Sequence, residues 1–311
     1  MPFSTGAQAR IRTNSSAELA YNAMNIANKD IARSQLKLST GLRINNASDD
    51  VAGYITSRAL GQRNNILKAS LKIAGDARNV ANITMDALEN ISDMVREIRT
   101  HTATATSGAM GTAEKVALAK SAFRFAQQIQ TIVDSSVFGG RQIIDGSYSA
   151  NFFVGTNATN NLLTISLDLS STNSEFDVDS GQFNTNALLT SNFGGVTGLN
   201  LNEFNDVVAS DLGIFNDENI GVTLTSLAFA IDNITKVGSY VGGISNRIDS
   251  QEDVLQQQIV NYDAAISRIQ DTDVAKTQLQ FVRDQFLQQA SLTSLAQANQ
   301  NPGQFLQLLS Q

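Results

Sequence analysis

The chain has 311 residues, with no Cys, no Trp, two Pro and one His, and 22 Lys+Arg against 29 Asp+Glu give a net charge of −7. That inventory excludes a disulfide framework and Cys-based zinc or redox chemistry. The single histidine, His101, cannot supply a His-rich metal site. Set between Thr100 and Thr102 without catalytic partners, it reads as an ordinary polar residue on a helix. An acidic chain without a dense Lys/Arg run is poorly suited to gripping phosphate backbones, so no nucleic-acid partner is expected. Hydrophobic residues reach 42% but aromatics only 6%, so a core must rest on aliphatics, and the many Ala favour closely approaching helices.

Residues 1–12, MPFSTGAQARIR, contain no apolar h-region followed by a small-residue site, so no cleaved signal peptide is expected. No run of about 18 consecutive apolar residues occurs, so membrane insertion is not expected either. Residues 142–235 contain no Lys or Arg but 11 Asp/Glu, and they are rich in Asn, Gly, Ser and Thr. Composition therefore divides the chain into helical, non-helical and helical parts.

In chain order, Asn14 or Ser15 can cap a first helix running toward Leu42, and Ser15 with Glu18 has capping-box spacing. Met24, Ile31 and Leu38 recur every seven residues, with Leu19, Ala20, Ala23 and Ala27 beside them, a narrow apolar seam rather than a broad face. A break follows over residues 41–50. Ser48 or Asn46 can then cap a second helix reaching about Thr106, with Asp49 and Asp50 in its first turn. Its apolar row is Ile66, Ile73, Val80, Ala87 and Met94, with Ala77, Thr84, Ile91 and Ile98 adjacent. Gly108, Gly111 and Thr112 mark a turn and a cap, and a third helix runs from about Thr112 to Val133, ended by Phe138-Gly139-Gly140.

The middle predicts a β-hairpin from Phe152–Val154 and Leu162–Leu169, joined by GTNATNN, because Leu163, Ile165, Leu167 and Leu169 alternate with polar residues. Residues 170–222, with short apolar groups such as Ala187-Leu188-Leu189, predict an irregular region with turns and a further strand pair. A long helix begins near Thr223, with Ile248, Leu255, Tyr262 and Ile269 spaced by seven and Ile259 and Ile266 as a second row. Beyond Asp271 and Thr272 the seam shifts to Leu279 and Phe286, then Leu292, Leu295 and Ala296, and Pro302-Gly303 is expected to break the helix before a final FLQLL. The terminal segments each carry a seam that neither can bury alone, so they should pair as an antiparallel hairpin and bury the remainder against neighbouring copies. In the lone monomer the termini should be disordered, ordering only on assembly.

The residues also carry a family resemblance. Leu36–Asn45, LKLSTGLRIN, followed by Ala47-Ser48-Asp49-Asp50-Val51-Ala52-Gly53, resembles the "LSSGLRIN…A.DDAAG" signature of bacterial flagellins. Ile11–Ser15 is similar to the family's "INTNS", Val95–Ile98 to "VREL", Phe138-Gly139-Gly140 with Ile143–Gly146 to "FNG..LL.G", and Phe153–Asn157 to "FQVGAN". Near the other end Ser267–Asp273 resembles "SRIEDAD", and Gln285–Ala290 with Leu295–Gln300 resembles "QILQQA…LAQANQ". The likeness covers about residues 11–165 and 225–311.

The resemblance implies a mainly α fold, a long helical hairpin or coiled-coil rod with a small β-hairpin-containing insert at about 145–222. Residues 1–48 with 271–311 would form a terminal coiled-coil domain lining a filament core, and 49–270 a helical rod domain. The implied function is a structural, non-enzymatic subunit of the extracellular flagellar filament, without metal or cofactor. Its implied partners are further copies of itself, an export chaperone on Asp271–Gln311, filament cap and hook-associated proteins, and other flagellins. Export would use the flagellar type III apparatus. The polymerisation seam comprises Met24, Ile31, Leu38, Leu42, Leu279, Phe286, Leu292 and Leu295, with the Met24/Ile31/Leu38 row expected to meet Leu279/Phe286/Leu292 within one subunit. Met94 and Ser121 stand where receptor-recognised members carry charged residues, which argues against recognition by the flagellin-sensing toll-like receptor. A hook–filament junction protein and a minor filament flagellin remain as alternatives.

Overall fold

The computed structural model describes residues 13–154, 164–178, 183–186 and 191–309, with side chains as far as residue 300. Six α-helices account for most of it: α1 Ser15–Thr40, α2 Val51–Ala105, α3 Thr112–Ser135, α4 Glu203–Asp206, α5 Ile220–Gln270 and α6 Val274–Leu309. Two small antiparallel strand pairs complete it. The first joins β1 Val137–Phe138 to β2 Arg141–Gln142, and the second joins β3 Ser149–Phe153 to β4 Thr164–Asp168. The fold is thus mainly α with a small β insert. Close contacts divide the chain into two compact units, residues 1–64 with 261–311 and residues 65–260. The first unit takes in more of α2 and α5 than the expected boundaries at 48 and 271.

In the first unit α1 and α6 pack side by side, and three cross-links give the antiparallel sense. Asn14 reaches Ala298, Asn28 reaches Gln288, and Leu42 bridges Asp271. Asn14, rather than Ser15, caps α1, its Oδ1 accepting from Ala17 N–H at 3.1 Å, so Glu18 falls one residue beyond capping-box spacing. At the other end Gly41 adopts the left-handed conformation, φ 72°, and its N–H returns to Lys37 O at 2.9 Å. The chain then crosses to the partner segment. Arg43 N–H donates to Gln270 O at 2.6 Å, its guanidinium to Ile269 O at 2.6 Å, and Thr272 N–H to Gly41 O at 2.9 Å.

The turn into α2 is built on two carboxylates. Asp49 accepts from Asn45 and Asn46 N–H at 3.1 and 3.0 Å, and Asp50 caps α2 by accepting from Gly53 N–H at 2.9 Å. Asp50 therefore takes the capping place expected of Ser48 or Asn46. The bond from Asn46 is the main reason that the Asp49 carboxyl lies below its ordinary value. A Cβ at Gly53 would stand 2.6 Å from both Asp50 Oδ2 and the buried Ile44 Cδ1, so the capping carboxylate and the buried Ile44 would both have to move.

The second unit has a continuous aliphatic core. On α2, Ala74, Ala77, Val80, Thr84, Leu88, Ile91, Val95, Ile98 and Thr102 are buried at steps of three and four, with Ala81 buried beside Val80. On α5 the buried face is Leu227, Ala230, Ile234, Val237, Val241, Ile244, Ile248 and Leu255. Of the expected seven-residue row, Val80 and Ala87 are buried, but Ile66 is exposed and Ile73 and Met94 only half-buried. A straight helix drifts by about 20° per heptad against a strict repeat, so such a row enters the core and leaves it again. α5 also contains a window apolar enough by composition to cross a membrane, with a mean hydropathy of 1.2. Part of that apolar character belongs to this core face.

The middle departs from expectation in detail. Gly139 and Gly140, with φ 58° and 81°, do more than end α3: they make the two-residue turn between β1 and β2. The β3–β4 hairpin forms with Ile165 and Leu167 inward. Its connecting residues, Leu163 and Ala187-Leu188-Leu189 lie outside the described residues, as do Ile11 and Arg12. Over the described part of 170–222, isolated bridges and short helical turns stand where a further strand pair was expected. They pack through Phe176, Phe183, Phe204 and Phe215, with Phe204 meeting Phe215 edge-on at 5.6 Å. Asn233 on α5 ties in the Gly194 turn by donating to its carbonyl at 2.9 Å.

α6 does not break at Pro302-Gly303 but continues to Leu309. Pro302 removes one backbone donor, and the carbonyl thereby left without its helical partner, that of Ala298, accepts from Asn14 Nδ2 at 2.8 Å.

Two outcomes test this unit. Gly53→Ala should destabilise the start of α2 by about 1–3 kcal/mol, the usual range for overpacking, read as a lower unfolding midpoint by circular dichroism. Because the folded Asp49 carboxyl is depressed, its contribution is present at neutral pH and fades as pH falls through and below the usual carboxylate range. Protection of the amides at residues 45–53, with exchange rates corrected for their intrinsic pH dependence, should fall there, and Asp49→Asn should flatten that loss.

Candidate assembly surface

The α1/α6 pair buries a narrow face of each helix. On α1 it comprises Ala17, Ala20, Met24, Ala27, Ile31, Ser34 and Leu38, and on α6 Thr277, Phe281, Asp284, Gln288, Ser291, Leu295 and Ala298. Both follow alternating steps of three and four, the spacing of a coiled-coil seam. The faces differ in chemistry: α1 presents mostly aliphatics, whereas four of the seven α6 positions are polar. Asp284 is buried, with Arg283 beside it at 3.2 Å, and Gln288 donates to Asn28 Oδ1 at 2.6 Å.

This arrangement divides the expected seam. Met24, Ile31, Leu38, Leu42 and Leu295 are half-buried within the chain. Leu279, Phe286 and Leu292 are not brought against the α1 row: they are 74%, 68% and 48% exposed. The reason is angular. Leu279 and Phe286 each lie two residues beyond a buried position, Thr277 and Asp284, and two residues rotate about 200° around a helix. The expectation that they meet Met24, Ile31 and Leu38 within one subunit is therefore corrected.

The outward residues form their own pattern. Leu279, Val282 and Phe286 share one side of α6, whereas Leu287 and Leu292 lie at opposite edges of the inward face, and α1 exposes Leu19 and Ile26, seven residues apart, at 71% and 60%. Val51 and Ile55 at the start of α2 and Val260 near the end of α5 are also exposed. Scattered surface aliphatics are ordinary, whereas Leu and Phe repeated on one helix side form a candidate interaction surface. Leu19, Leu279, Phe286 and Leu292 were legible in the sequence as seam residues, whereas Ile26, Val282 and Leu287 were not singled out. What the sequence did not signal is that polar residues would take the inward face of α6.

The described residues show no group of three or more His, Cys, Asp or Glu placed to hold a metal ion. One oxygen of Asp49 and one of Asp50 accept from backbone N–H groups. His101 stacks on Phe125 at 5.5 Å, with Nε2 3.5 Å from Ser121 Oγ. Lys115, buried on α3, pairs with Asp217 at 2.8 Å.

Comparison with known proteins accords with a helical, self-associating chain. The profile of the bacterial flagellin N-terminal helical region matches residues 11–149, and that of the bacterial flagellin C-terminal helical region matches 224–309. Flagellin of Bacillus subtilis is 27% identical over 311 aligned residues, covering 96% of this chain and 99% of the relative. Polar flagellin B/D of Vibrio parahaemolyticus and flagellin FlaB1 of Treponema pallidum are each 24% identical with the same coverage. Matched at both helical ends and aligned along nearly its whole length, the chain belongs to the bacterial flagellin family, the structural subunits of the flagellar filament.

Proposed function

We propose, in place of termini that order only on assembly, that α1 and α6 first close on each other and that the chain then polymerises by burying the outward apolar rows of its terminal helices against neighbouring copies. The supporting observation is the exposure of Leu279, Phe286 and Leu292 on a helix whose inward face is already occupied. Burying a Leu- or Phe-sized side chain contributes roughly 1.5–3 kcal/mol, so a few such residues per subunit suffice to drive assembly. In this reading residues 1–48 and 271–311 form the coiled-coil domain lining the filament core, and 49–270 the surrounding domain with its β insert. Met24, Ile31, Leu38, Leu42 and Leu295 hold the hairpin, and Leu279, Phe286 and Leu292 hold its neighbours.

The same exposed row needs shielding before assembly, which suits an export chaperone on Asp271–Gln311. Passage through the flagellar type III apparatus without a cleaved signal, and contact with cap and hook-associated proteins, complete the proposed life of the subunit. Met94 and Ser121 leave a receptor interface without the charges it would use. The relatives reported above are all flagellins, which favours a propagating filament over a single junction layer.

Seeded polymerisation followed by electron microscopy tests the reading. The full chain should give long filaments, and a chain truncated at Asp271 none; short caps from the full chain would favour a junction protein. Phe286→Asp should abolish filaments while leaving monomer helicity unchanged. Leu38→Asp should abolish them by opening the hairpin. Normal filaments from Phe286→Asp would refute the outward row as the polymerisation surface.

A further inference from the structure

Asn14 makes two kinds of bond at once. Its Oδ1 accepts from Ala17 N–H at 3.1 Å and from Ser16 Oγ at 2.9 Å, while its Nδ2 donates to Ala298 O at 2.8 Å, 284 residues along the chain. Within a helix the carbonyl of residue 298 accepts from the N–H of residue 302. Residue 302 is proline, which has no N–H. Ala298 is a buried residue and its bond from Asn14 is partly shielded, so water replaces that bond at a cost, and a carbonyl left without a partner there is unfavourable. The Asn14 amide therefore meets an acceptor whose own helix cannot satisfy it.

We propose that Asn14 is a positioning residue that supplies, from α1, the hydrogen bond that Pro302 denies to α6, so that the turns of α6 beyond Ala298 order only once α1 has docked. Pro302 makes α6 incomplete by itself at this point, and α1 carries the missing donor. Docking at one end of the chain is thereby reported at the other, and an unclosed hairpin leaves the end of α6 unlatched. Capping alone would need only an acceptor, which Asp or Ser provides as well as Asn. The donated bond is what singles out an amide. The inference rests on the reading of the α1/α6 pair as the unit that closes before assembly.

Hydrogen–deuterium exchange of the full-length protein tests it, reading the backbone amides of residues 303–309. Asn14→Asp keeps the cap and replaces the donor by an acceptor, and Asn14→Ser keeps a shorter, uncharged cap. Both should speed exchange at 303–309 about tenfold, the weight of one buried hydrogen bond, with the first turns of α1 unchanged. Pro302→Ala restores the helical N–H and should make either Asn14 substitution silent at 303–309. Unchanged exchange in both Asn14 variants would overturn the proposal, as would equal acceleration in the Pro302→Ala background or complete exchange of the segment in the wild type. Exchange is read on pelleted filaments. A wild type that forms none counts against the polymerisation reading, and exchange in the dispersed chain then decides this one.

Discussion

The antiparallel closure of α1 on α6 is the constraint on which the first unit depends. Each helix has an inward face only one seam wide, and a helix of that kind is marginal in water without a partner. The partner lies at the opposite end of the chain, so closure must meet the loop entropy of nearly the whole sequence. The structure concentrates fixed points along the pair to offset this. Asn14 reaches Ala298 at one end, Asn28 reaches Gln288 within, and the Leu42–Asp271 bridge with Arg43 and Thr272 closes the other end. The Asp49–Asp50 turn, held by Ile44 and the bare backbone of Gly53, then launches α2 immediately beyond that bridge.

The chemistry of the inward faces explains why closure does not exhaust the apolar surface. α6 turns Thr277, Asp284, Gln288 and Ser291 toward α1 and keeps Leu279 and Phe286 for the outside. An all-aliphatic inward face would make a more stable hairpin but would leave α6 with less to offer a second copy. Buried polar groups contribute little net stability, but they penalise pairings that leave them without partners. The polar inward positions thus favour one pairing within the chain and leave the outward row free for the association between chains proposed above. A filament subunit needs both preferences.

Much of this was readable residue by residue. The break after Thr40, a cap at Asn14 or Ser15, the three helices of the N-terminal half and the β3–β4 hairpin follow from local rules, because caps, turns and periodicity depend on near neighbours. The Ile66/Ile73/Met94 row was less reliable, since a seven-residue repeat and a 3.6-residue helix separate over several turns. The Gly139-Gly140 hairpin was read only as a helix stop, because the short strands beside it carry little pattern. Pro302 was read as a break, as the local rule predicts, but α6 runs on to Leu309, with Asn14 bonded to the carbonyl that Pro302 leaves without its helical donor.

The sequence by itself determined the helical ends, the mainly α class, the position of the β insert, the absence of cysteine chemistry and the family to which the chain belongs. Each of these rests on composition, local periodicity or motifs in order along the chain. Only the tertiary structure decided which side of α6 faces α1, that Asp50 rather than Ser48 caps α2, and that α6 passes through Pro302. Periodicity states that a helix has an apolar side but not what will cover it. Where a helix has two candidate sides, the choice is made by the partner and by the geometry that brings the partner there.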